Sequence, residues 1–140
     1  NKSLNFSFSG IKTAVNLLIK KQSKINQKIK NDIAASFQNK IIEILIKRAT
    51  LSINTLDKKG YKIKDVAVVG GVAVNKKINI AFKNLCKKFN CNAVFPKREL
   101  CGDNAAMIAW ACLERYKKNI QPNLNFKADP RWRLSEIVLL

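Results

Sequence analysis

Two short apolar runs, residues 65–69 (DVAVV) and 91–95 (CNAVF), alternate with helical stretches. That alternation limits the possible folds more than any other feature of the sequence. A mainly apolar run of this length suits a buried strand. Strands separated by helices pair in parallel, with ligands held at their C-terminal ends. The expected class is therefore α/β. The first run enters Gly70-Gly71, with a helix starting near Asn75, and the second is stopped by Pro96. A third unit, residues 102–118, has Asp103 placed to cap a helix and Ala106, Met107, Trp110 and Leu113 on its inner face.

Upstream, Ser9 is placed to cap a helix whose apolar stripe is Ile11, Ala14, Val15, Leu18 and Ile19. The lysine-rich stretch QSKINQKIK reads as a connector. The strongest helical pattern spans residues 31–56, capped by Asn31 or Asp32 and stopped by Gly60. Ile33, Phe37, Ile41, Leu45, Arg48, Ala49 and Ser52 trace its period, with Ile42, Ile44 and Ile46 widening the face. So apolar a helix is expected to be core between layers, with no chemistry of its own. No internal repeat is visible. Residues 121–140, with Pro122 and Pro130, read as an extended tail.

A 140-residue chain that is 47% hydrophobic can bury one core of ordinary size. It contains no histidine, which excludes a histidine triad, proton relay or metal cluster within this chain. The net charge of +18 is spread as +7 over residues 1–40, +9 over 41–100 and +2 over 101–140, with no basic block. Much of the excess is lysine beside abundant asparagine and isoleucine, a compositional bias that decorates solvated faces whatever the function. The net field still favours a polyanion partner. Cys86, Cys91, Cys101 and Cys112 contain no CxxC pair, so reduced, partly buried thiols are expected. No apolar run has the length of a membrane span and no charged-then-apolar leader opens the chain, so a soluble, cytoplasmic protein is expected.

Two loops could carry chemistry. In VVGGVAVN, glycines lacking a Cβ let a base, ribose or phosphate approach the backbone at a helix N-terminus, and Asn75 can donate and accept there. The same residues equally make a tight strand–helix turn with an asparagine cap. In PKRELCGDNAAMIAW, Asp103 could bind a divalent cation or orient a hydroxyl, or simply cap the helix. One carboxylate is not a metal site, and Glu99 is the only close second acid.

FSFSGIKTAV, NDIAASFQ, VVGGVAVNKKI, ELCGDNAAMIAWA and PRW closely resemble, in order and spacing, the C-terminal part of the TsaD/Gcp family. These are the tRNA adenosine threonylcarbamoyltransferases, formerly labelled O-sialoglycoprotein endopeptidases. The resemblance runs from Phe6 to Trp132. It implies the actin-like fold of acetate and sugar kinases and Hsp70, with residues 1–120 forming the C-terminal lobe and 121–140 its tail. The implied reaction moves a threonylcarbamoyl group from threonylcarbamoyl-AMP to the adenosine 3′ of the anticodon in tRNAs reading codons that start with A. By the same resemblance Asn75, Gly70 and Gly71 bind the adenylate and Asp103 binds one divalent metal ion, iron or zinc. No residue is assigned as a catalytic nucleophile or base. The implied partners are tRNA and TsaB- and TsaE-like proteins.

Three departures are mild: LCGDN stands for the family's frequent LCTDN, Val74 for a small residue, and Pro96-Lys97 for a Pro-Pro pair. The family's HxxxH metal pair belongs to an N-terminal half that this sequence does not contain. The chain, which begins at Asn1, therefore reads as a C-terminal fragment, a split-gene product or a truncated remnant that binds nucleotide, tRNA or a partner subunit. A plain basic RNA-binding module is a further reading. No Ser/His pair, HExxH or paired aspartates support a peptidase. Faces that meet the missing lobe should expose apolar area and cause self-association.

Overall fold

The computed structural model describes Leu4, Phe6 and residues 8–120. They form two units, residues 1–102 and 103–140, of which the second contributes one described helix.

In the first unit, helices α1 (Ser9–Lys20) and α2 (Gln27–Lys58) precede strand β1 (Asp65–Ala67), helix α3 (Lys76–Lys88) and strand β2 (Asn92–Val94). The strands pair in parallel, Asp65 opposite Asn92 and Ala67 opposite Val94, with α3 as the crossover. The Val68 amide donates to the Val94 carbonyl at 3.0 Å and the Asn92 amide to the Lys64 carbonyl at 2.8 Å, so pairing runs slightly past the strand ends. Both strands lie within the expected runs, and the mixed helix and parallel-sheet architecture agrees with the α/β class. The expected burial is not found: only the central Val66 and Ala93 are half-buried and the flanking strand residues are exposed, because the two-stranded sheet is covered by few elements.

The core forms where α3 meets the second half of α2. Ile78, Phe82 and Leu85 of α3 and Ile53 of α2 are buried. Ile42, Leu45, Ile46 and Ala49 of α2 and Val66 of β1 pack half-buried against them. The i, i+4, i+7 spacing on α3 places its three apolar residues on one stripe, each contributing about 1.5–3 kcal/mol on full burial.

The structure corrects several expectations. Alpha-helix α1 contains Ser9 as its first residue and follows Phe8, with no side-chain cap bond. Alpha-helix α2 starts four residues before Asn31, because the Asn26 side chain accepts from the Ile29 amide at 2.9 Å and draws the lysine-rich stretch into the helix. Its first half is not core: residues 27–40 are mostly exposed, and Phe37 is 43% accessible. In the second unit, α4 (Ala105–Lys117) is capped by Asn104, whose side chain accepts from the Met107 amide at 2.8 Å; Asp103 is not the cap. The expected inner face of α4 is exposed, with Trp110 64% accessible. Residues 121–140 lie outside the described residues.

Three helices end in the same way. Alpha-helix α2 stops with Gly60 at φ +83°, whose amide bonds Asp57 while Tyr61 bonds Leu56. Asn90 (φ +51°) and Asn119 (φ +57°) do the same after α3 and α4. These are Schellman terminations, which need a residue that tolerates left-handed backbone.

Candidate functional site

The turn after β1 is built by four residues with separable roles. Gly70 sits at φ +81°, ψ 177°, a region that a side chain strongly disfavours. It reverses the chain into a single 3₁₀ turn, Gly71–Val74, closed by the Ala73 amide on the Gly70 carbonyl at 2.9 Å. Ala73 is buried and anchors the turn. Gly71 needs no special φ, and a Cβ placed there would meet nothing within 4 Å. Its bareness is not demanded by the folding of this unit.

Asn75 caps α3. Its Oδ1 accepts from the Lys77 amide at 3.0 Å and the Ile78 amide at 3.3 Å. The two readings of this residue are compatible, because the cap uses only the oxygen. The Nδ2 donor has no hydrogen-bond partner among the described residues. Asn79, which the sequence reading did not single out, holds the turn from beneath: its Nδ2 donates to the Ala73 carbonyl and, at 3.0 Å, to the Asn75 carbonyl. Its signal in the sequence is only its spacing, one helical turn after the cap.

Asn75 and Val72 line an open groove of about 670 Å³ with Asn31, Ala34, Ala35 and Gln38 of α2. The small and polar residues at 31, 34, 35 and 38 recur at helical spacing within an otherwise isoleucine-rich helix. That interruption, with Phe37, Ile41 and Ile78, forms the lining of the groove.

Electrostatics point to an anion. The first turn of α3 carries exposed Lys76 and Lys77 and no acid. A helix N-terminus already bears partial positive charge, so two cations there oppose the dipole and concentrate positive potential beside Asn75. Folding favours the reverse arrangement.

Asp103 heads the second unit and is exposed, with no hydrogen-bond or ion-pair partner among the described residues. No group of three His, Cys, Asp or Glu able to hold a metal occurs among the described residues. Asp103 fits a metal centre only as one ligand of a set completed elsewhere. All four thiols are unbridged, with Cys86 and Cys101 buried, Cys91 half-buried and Cys112 exposed, as expected.

A parallel strand–turn–helix unit, with bare backbone and an unspent amide donor beside a cationic helix start, places the chain in the α/β class. The family model "TsaD: tRNA N6-adenosine threonylcarbamoyltransferase" matches residues 1–110, and the chain belongs to that family. Proteins named tRNA N6-adenosine threonylcarbamoyltransferase are similar to it along most of its length. The protein from Rickettsia rickettsii (strain Sheila Smith) is 42% identical over 135 residues, 95% of this chain and 39% of the relative. That from Pelagibacter ubique (strain HTCC1062) is 48% identical over 131 residues, 93% of this chain and 36% of the relative. The chain thus spans less than two fifths of the length of these curated relatives, to whose C-terminal part it corresponds.

Proposed function

We propose that the chain forms the C-terminal wall of a threonylcarbamoyl-adenylate site in a two-lobed, actin-like enzyme. Residues 1–120 supply the lobe and residues 121–140 its tail. The complete enzyme, acting in the cytoplasm with TsaB- and TsaE-like proteins, transfers threonylcarbamoyl to the adenosine 3′ of the anticodon in tRNAs reading codons that start with A. The observation that carries this reading is the Gly70–Asn75 turn: Gly71 has open space above it, and the Asn75 Nδ2 lacks a partner.

An acyl-adenylate is already activated, so the protein's task is to orient it and stabilise developing charge. Gly70 and Gly71 let the nucleotide lie against the backbone. Asn75 Nδ2 donates to a ribose or phosphate oxygen, while Lys76 and Lys77 offset the phosphate charge. Asp103 offers one carboxylate ligand to a divalent ion, iron or zinc, whose remaining ligands lie outside this chain; when bound, such an ion acts as a Lewis acid. The lysine-rich surface attracts tRNA.

An alternative reading, a remnant that binds without catalysis, draws on the lack of a complete reaction centre among the described residues. The test adds the chain to a separately produced N-terminal part of a TsaD relative, with tRNA and threonylcarbamoyl-AMP. Modified adenosine that appears only with both pieces supports the enzyme. Binding of a non-hydrolysable adenylate analogue without turnover supports the remnant. Modification by this chain alone overturns the divided-site reading.

A further inference from the structure

The Schellman termination of α3 places Cys86 and Cys91 at its two contacting positions. The Cys91 amide donates to the Cys86 carbonyl at 3.0 Å, and the Asn90 amide to the Lys87 carbonyl at 3.4 Å. Asn90 supplies the left-handed residue between them. In this motif the side chains at the ends of the longer bond pack together. The Cys91 Sγ lies 3.6 Å from the Cys86 carbonyl, and the two thiols are within side-chain hydrogen-bonding reach. A CxxxxC spacing, which looks unpaired in sequence, is thereby made into a vicinal dithiol by helix-end geometry.

The two sulfurs differ in access. Cys86 is 1% exposed, whereas Cys91 is half-buried. Both line a surface depression of about 380 Å³ with Lys83 and Lys87 and no acidic residue. The two lysines lining the depression attract an anionic reagent to the accessible thiol. Cys101 provides a contrast: it is buried, and its thiol donates to the Lys97 carbonyl at 3.4 Å.

We propose that Cys91 and Cys86 form a thiol–disulfide exchange site for anionic small-molecule disulfides. The Cys91 thiolate attacks one sulfur of the reagent; its S–S bond breaks, one half leaves as thiolate, and a mixed disulfide remains on Cys91. Cys86 then loses its proton to solvent and attacks the Cys91 Sγ, expelling the second half as thiolate. Two protein thiols are oxidised to one disulfide and the reagent is reduced to two thiols. Burial, followed by the hydrogen bond and charge of Cys91, pushes the Cys86 thiol up to about 11. That assigns first attack to Cys91. It also means the charge of Cys91 no longer opposes Cys86 once Cys91 is capped.

The test uses glutathione disulfide on the folded chain carrying Cys112→Ser, which removes the exposed thiol. Trypsin cleaves at Lys87 and Lys88, so a bridge appears as linked peptides 84–87 and 89–97 in mass spectrometry. The expected result is accumulation of the linked pair, faster in the folded chain than in urea, with Cys101 unmodified. Adding Cys86→Ser should instead leave a stable glutathionyl adduct on Cys91. Adding Cys91→Ser should leave Cys86 unreacted. A lasting adduct on Cys91 with Cys86 present overturns the proposal. So does a bridge that forms only after denaturation or that joins Cys86 to Cys101.

Discussion

Replacing Asn75 with Asp keeps an acceptor for the Lys77 and Ile78 amides but removes the Nδ2 donor. Thermal unfolding of Asn75→Asp should occur at or above the parent's temperature, because the added negative charge complements the α3 dipole. Binding of an adenylate analogue should weaken about tenfold, the loss expected of about one good hydrogen bond. Asn75→Ala should additionally cost about 1 kcal/mol of stability through the lost cap. The two glycines separate in the same way. Gly70→Ala strains a backbone at φ +81° and should cost on the order of 1–3 kcal/mol, whereas Gly71→Ala fills open space and should leave stability unchanged but obstruct the ligand. Lys76→Glu should raise stability by about 0.3–1 kcal/mol by complementing the α3 dipole and should weaken adenylate binding. If Lys76→Glu destabilises, the anion-site argument built on the helix start fails.

The helices differ in what holds them. Alpha-helix α2 packs into the core only from about Ile41 onward, so its first half relies on the Asn26 cap and intrinsic propensity. Amide hydrogen exchange should therefore be faster over residues 27–38 than over 45–55. At the far end of α3, Cys86 couples the helix to pH. Its folded value of about 11 exceeds the ordinary 9.0, so the folded state retains a proton that the unfolded chain releases. The resulting stabilisation is complete below the ordinary value and is lost as pH climbs from there through about 11. Urea denaturation should show a steeper loss over that range for the parent than for Cys86→Ala. Equal slopes would mean that the thiol titrates normally.

At the scale of the complete chain, large apolar side chains stand in water on several elements. Leu17 and Leu18 on α1, Phe37 on α2, Val69 and Val72 at the turn, and Trp110 on α4 are all exposed. Large apolar side chains left in water favour association with a partner surface. Sedimentation of the isolated chain should show concentration-dependent association despite its net charge of +18. Adding an N-terminal part of a TsaD relative should suppress it. A monomer with one sharp unfolding transition would show that these faces need no partner. None of the helices among the described residues is long and apolar enough to cross a membrane.

Features that rest on local chemistry were legible in the sequence. Its apolar runs and glycine pair gave the strand–turn–helix order, Gly60 the end of α2, and Asn75 the start of α3, because each depends on dihedral preference or a cap within a few residues. It failed at Asn26, which competes with equally good caps at Asn31 and Asp32, and at Asp103, whose neighbour Asn104 takes the cap. Tertiary structure alone decided which apolar faces found partners. Periodicity marks a face on α2 but cannot say whether anything lies against it, and here most of residues 27–40 stay exposed. It also decided that the asparagine cap leaves a donor to spare and that two cysteines five residues apart touch. Both results depend on atoms converging in space, about which spacing along the chain is silent.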